Sequence, residues 1–154
     1  MRIATATAAI LAIFGSPASS CADPLQVKEI RAYLFFSNSG LLSENIVGST
    51  KTFDNTVIGE GEAGGAATNV LIDLVLSNGD GPGPKQTATL KVTYKAFGRD
   101  MTLTRTFDNS SFSPGEVRHE SVLIENATCF PVTIDAGVGN SAPKKATLKF
   151  GCGE

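Results

Sequence analysis

Three features of the chain predict an all-β fold: a single antiparallel β-sandwich of about seven or eight strands, immunoglobulin-like in architecture. Runs of alternating apolar and polar residues recur at intervals of about 8 to 15 residues, clusters of Gly, Pro, Asn and Ser separate them, and no segment beyond residue 22 carries a helical period. Helices between strands are missing, which argues against a parallel sheet. The chain contains no tryptophan, so the Cys…Trp…Cys spacing of antibody domains is absent and the likeness is one of architecture.

The N-terminus has the three parts of a secretory signal peptide. Met1-Arg2 is a short basic start, Ile3 to Phe14 an apolar stretch, and Gly15 to Ala22 a small-residue tail ahead of Asp23. The stretch is too short to span a bilayer, and no other segment is apolar enough to do so. Cleavage after Ala22 leaves residues 23–154 as the β-sandwich domain. It also removes Cys21, which turns an odd set of three cysteines into the pair Cys129 and Cys152. A lipid anchor on Cys21 is disfavoured, because Ala18-Ser19-Ser20 lacks the large aliphatic residue expected three places before a lipidated cysteine.

The elements follow in order. Asp23 to Lys28 is a polar lead-in, and Ile30, Ala32, Leu34 and Phe36 then alternate with Arg31, Tyr33 and Phe35, so the first strand has a partly aromatic second face. Asn38-Ser39-Gly40 turns the chain, Leu41 to Thr52 is loop or short edge structure, and Phe53 to Ile58 is a short strand. Gly59 to Asn69 is a glycine-rich loop. Val70 to Leu76, apolar at every place but Asp73, is a central strand buried on both faces. An acid in such a run needs a partner or an exposed end.

Asn78 to Gln86 is a loop, and Ala88, Leu90, Val92, Tyr94 and Ala96 then face inward while Thr87, Thr89, Lys91, Thr93 and Lys95 face water. Gly98-Arg99-Asp100 returns the chain into a Thr-rich strand from Met101 to Phe107. After the loop from Asp108 to Glu116, Val117 to Glu125 forms a strand whose Val122-Leu123-Ile124 is the buried part. The chain ends in a hairpin: Pro131 to Ala136, a turn from Gly137 to Pro143, and Ala146 to Phe150. Apolar residues face one another only if the ladder sets Val132, Ile134 and Ala136 on one face with Ala146, Leu148 and Phe150. That register puts Cys152 inward and Cys129 outward, with Pro131 as the place for a bulge or late strand start. A bridge between Cys129 and Cys152 would close this last ribbon.

Several kinds of chemistry are disfavoured by composition. Without residues 1–22 the chain keeps 12 Lys+Arg against 15 Asp+Glu, a formal charge of −3, and its basic residues are scattered, so nucleic acid is not the expected partner. Gly59-Glu60-Gly61-Glu62-Ala63-Gly64 is a literal GxGxxG, but two glutamates occupy it and no helix follows, so repulsion replaces the attraction a pyrophosphate needs. Neither these acids nor Asp80 shows calcium-loop spacing. His119 is the only histidine and no GxSxG elbow exists, so neither a zinc site nor a nucleophilic triad has its parts, and no cofactor is expected. A pair of carboxylates for glycoside hydrolysis is not singled out.

Phe36 to Asn45, Asn55 to Ala63 and Phe150 to Glu154 resemble blocks of a group of small secreted bacterial proteins that carry no assigned activity. The resemblance covers the whole mature chain. It implies a periplasmic or secreted bacterial protein and supplies no catalytic residues. The expected function is a non-enzymatic binding or interaction domain for a protein or envelope component, with Gly59, Glu60, Gly61, Glu62 and Gly64 as the candidate interaction loop. The alternatives are a strand-exchanging subunit of a pilus-like surface assembly and, third, a hydrolase.

Overall fold

The computed structural model describes residues 25–51, 53–54, 67–80, 84–127 and 129–151, which form strands, turns and loops without a helix. One four-stranded sheet has the order β2, β1, β4, β7 and the other β6, β5, β8, β9. The first is built from β1 (Gln26–Phe36), β2 (Leu41–Leu42), β4 (Asn69–Ser77) and β7 (Val117–Ile124), the second from β5 (Thr87–Ala96), β6 (Arg99–Asp108), β8 (Val132–Val138) and β9 (Lys144–Leu148). Two short strands, β3 (Phe53–Asp54) and β10 (Phe150–Gly151), pair in parallel, with Phe53 beside Phe150. All pairings within the two larger sheets are antiparallel. β1, β4 and β7 take the places of A, B and E in the immunoglobulin sandwich, and β6, β5, β8 and β9 those of C′, C, F and G.

Alternation builds the core. Ala32, Leu34, Val70, Ile72, Leu74 and Leu76 from one sheet are closed to solvent, as are Ala88, Leu90, Val92, Val132 and Ile134 from the other. These are the inward places of period-two strands, so two half-apolar sheets bury one another's wet-side-free faces. β4 is central and buried on both faces: Val75, on its outer side, is 6 % exposed. The final hairpin pairs Val132 with Leu148 and Ile134 with Ala146, the register that keeps apolar against apolar, and β8 starts directly after Pro131.

Four expectations are corrected. Gln26 to Lys28 belongs to β1 rather than to a lead-in, because a register shift between Val27 and Glu29 carries the strand on to pair with Leu76 and Ser77. Leu123 is 40 % exposed while Val122 and Ile124 are buried, since period two sends it to the outer face of an edge strand. β8 runs on to Val138, two residues past Ala136, with Ala88 opposite Val138. The turn between β5 and β6 is Phe97-Gly98, with Ala96 opposite Arg99, and not Gly98-Arg99-Asp100.

Candidate functional site

The two ends of the sandwich differ in chemistry. At the end where β4 and β7 meet the loops after Ser77 and Asp108, side chains close a hydrogen-bonded network. Gln86 Oε1 accepts from the Leu25 amide at 2.7 Å, and Asn109 Oδ1 accepts from the Gln86 amide at 2.8 Å. Asn109 Nδ2 donates to Asn78 Oδ1 at 3.3 Å, while Glu116 accepts from the Ser113 amide and from Arg118. Arg118 also stacks over the Phe112 ring, 4.1 Å from its centre. The Ser113 amide and then Arg118 hold the Glu116 carboxyl below its ordinary value, and the Ser110 hydroxyl and amide do the same for Asp108. Loops knitted in this way are held by their own polar groups.

At the opposite end apolar side chains stand exposed on the strand ends and on the turns between them. Leu41, Leu42, Phe97, Met101, Leu123 and Phe130 are the exposed large hydrophobics here, and of those among the described residues only Val117 lies elsewhere. Antiparallel pairing brings them to one end: β1 and β7 finish here, β2, β6 and β8 begin here, and Ala96 bridges Ala127. Ala127 also donates its amide to Thr68 at 2.8 Å. Phe130 receives Lys95 over its ring at 4.4 Å, and Lys95 reaches Asp100 at 3.7 Å. Beside this end lies a groove of about 490 Å³, floored by Ile46, Phe53, Leu148 and Phe150 and flanked by Lys51 and Lys149.

Phe97 stands out within this set. It is 78 % exposed and has φ 50, and Gly98 follows at φ 72. A two-residue hairpin with both central residues left-handed is a type I′ turn, whose first place favours Asn, Asp or Gly. A phenylalanine there is strained and gains little burial in return, a combination that folding alone does not favour.

A second feature lies on the outer face of the β2, β1, β4, β7 sheet. Asp73 is 7 % exposed and sits opposite Ser121 on β7 and Arg31 on β1. Its Oδ2 lies 2.8 Å from His119 Nδ1, and its Oδ1 accepts from the Ser121 hydroxyl at 3.2 Å. Arg31 turns instead to Glu29 at 2.6 Å. That bond holds the Glu29 carboxyl below, and the Arg31 guanidinium above, their ordinary values. The acid that the sequence left without a partner therefore has two. The arrangement is not a nucleophilic triad, because the serine hydroxyl donates to the acid and the histidine does not stand between them.

Cys129 is half-buried on the loop between β7 and β8, and Cys152 lies outside the described residues. Gly59, Glu60, Gly61, Glu62 and Gly64 also lie outside them, so the candidate interaction loop is not described. Among the described residues no three of His, Cys, Asp and Glu come together in a metal-binding group, and no helix is long and apolar enough to cross a membrane. The chain matches no protein-family model and no curated protein.

Proposed function

We propose that this chain is an extracytoplasmic, non-enzymatic binding domain, periplasmic or secreted, whose partner is a protein or other envelope component seated on the apolar end around Phe97. The observation that carries the reading is Phe97 itself: a large ring held in water, on a backbone conformation it disfavours, at the tip of the β5–β6 hairpin. Aromatic anchors of this kind dominate binding energy once a partner's pocket closes over them. Phe130, whose ring lies under Lys95 two places before Phe97, adds exposed apolar surface at the same end. Cleavage after Ala22 and membership in a group of small secreted bacterial proteins belong to the same proposal, on the grounds of the N-terminal pattern and the sequence blocks given above.

A disulfide from Cys129 to Cys152 is also part of it. Cys129 stands three residues ahead of β8 and Cys152 directly follows β10, so the bridge would lie where the last ribbon meets the apolar end. Against a hydrolase stands the use of the only histidine, whose Nδ1 faces Asp73 while the Ser121 hydroxyl donates to that same carboxylate and not to the imidazole.

The test is capture from the native extracytoplasmic fraction by the parent protein and by Phe97→Asn. A partner retained by the parent and lost from the variant, with the variant folded, is the expected result. Equal retention by both would remove the apolar end from the account.

A further inference from the structure

We infer that β6 is an interface for a second copy of this chain, joined edge to edge across a two-fold axis through Leu103. The amide of Asn109 donates to the carbonyl of Gln86, so the paired groups of this hairpin fall on the odd-numbered residues of β6. The amides and carbonyls of Asp100, Thr102, Thr104, Thr106 and Asp108 therefore point to the free edge. No strand among the described residues pairs with that edge.

The other sheet edges are guarded. β2 is two residues long, β9 is five and opens with Lys144-Lys145 directly after Pro143, and β7 carries Arg118, His119 and Glu120 in a row. β6 has ten residues in unbroken register with β5, no proline, no bulge and an uncharged centre, Met101 to Thr104. An edge of this kind is a template for another strand.

The occupant follows from hydrogen-bond phase and charge. Outward-pointing residues must meet outward-pointing residues, so a two-fold axis has to pass through a residue and not between two. Among registers that overlap more than half of the strand, an axis through Thr102 sets Arg99 against Arg105 of the second copy. An axis through Thr104 sets Asp100 against Asp108, and one through Arg105 sets that arginine against itself; like charges directly opposed are destabilising. Only the axis through Leu103 is free of such pairs. It places Thr102 opposite Thr104, Asp100 opposite Thr106, Leu103 opposite Leu103 and Met101 opposite Arg105, and brings Arg99 to Phe107. Met101, 41 % exposed in the single chain, is covered by this arrangement. A two-fold contact closes on itself, so association stops at the dimer and builds no fibre.

Sedimentation of the exported protein from micromolar to millimolar concentration tests the inference, with a monomer–dimer equilibrium and nothing larger as the expected result. Thr102→Lys with Thr104→Lys sets lysine against lysine twice and is expected to be monomeric. Thr102→Lys with Thr104→Glu sets each new lysine against a glutamate and is expected to dimerise at least as well as the parent. Both positions are exposed, and circular dichroism with a melting curve checks the fold of each variant. In the parent, the amides of Thr102, Thr104 and Thr106 are expected to gain hydrogen-exchange protection as concentration rises. A parent that stays monomeric with those amides unprotected, or a double-lysine variant that dimerises like the parent, overturns the inference. A Lys/Glu variant that is folded and monomeric overturns the register.

Discussion

Replacing Phe97 by asparagine separates folding from binding. The residue has φ 50, and a left-handed backbone costs an ordinary L side chain about 1–2 kcal/mol, a cost asparagine largely escapes. The residue is 78 % exposed, so roughly a fifth of its surface is covered. For a phenylalanine surface of about 200 Å² that is about 40 Å², or about 1 kcal/mol at 25 cal/mol per Å². This burial figure is an upper bound, because the unfolded chain already covers part of the ring. Relief of strain therefore matches or exceeds the lost burial, and Phe97→Asn is expected to be as stable as the parent or more stable by up to about 1 kcal/mol.

For a domain of this size that gain corresponds to a rise of about 3–5 °C in melting temperature. Thermal and urea unfolding provide the assay, with the urea slope unchanged so that a shifted midpoint reads as stability. A variant that melts several degrees lower would refute the reasoning. The ring would then be an anchor of its own hairpin, and its exposure would say nothing about a partner.

Asp73→Leu is expected to fall within about 1 kcal/mol of the parent or to stabilise, because removing a desolvated carboxylate offsets the loss of its two bonds and leaves His119 and Ser121 open to water; a urea midpoint reporting a loss above about 3 kcal/mol would contradict this. Cys152→Ser is expected to lower the melting temperature under oxidising conditions, since a bridge closing a 24-residue loop contributes about 3 kcal/mol; two titratable thiols in the exported parent would exclude the bridge. Glu116 has its folded pKa depressed below 4.5, so its contribution is full above that pH and lost as pH falls through the depressed value. Glu116→Gln should therefore flatten the acid limb of stability against pH. Intact-mass measurement of the exported protein is expected to give a chain beginning at Asp23, and a mass carrying diacylglycerol on Cys21 would reassign it as lipid-anchored.

What was legible in the sequence is what period two and turn chemistry control. The five inward residues of β5 are inward, and the β8 and β9 register follows from apolar pairing together with a proline that cannot join the ladder. What was not legible depends on strand order. Asp73 meets His119 and Ser121 across 46 and 48 residues, and it does so only because β7 docks beside β4 after two strands have gone to the other sheet. Leu123 looks buried inside a Val-Leu-Ile run until β7 is known to be an edge with a wet outer face. Phe97 is not legible as a turn residue because turn chemistry points to Gly, Asn and Asp, which sets the expected turn one place along.

Asp73 and Phe97 both break a local rule, and a broken rule points to function only where the fold gives no return for it. Asp73 gains two hydrogen-bond partners from the neighbouring strand, so a structural role accounts for an acid in an apolar run. Phe97 gains no comparable return: its ring meets mostly water, its backbone is strained, and asparagine would close the same turn without either cost. The same contrast separates the two ends of the sandwich. Polar loops that satisfy one another at one end are explained by folding, whereas at the other end Phe97 and Leu41 keep most of their surface open to water. The proposed binding role therefore rests on the end where Phe97 stands.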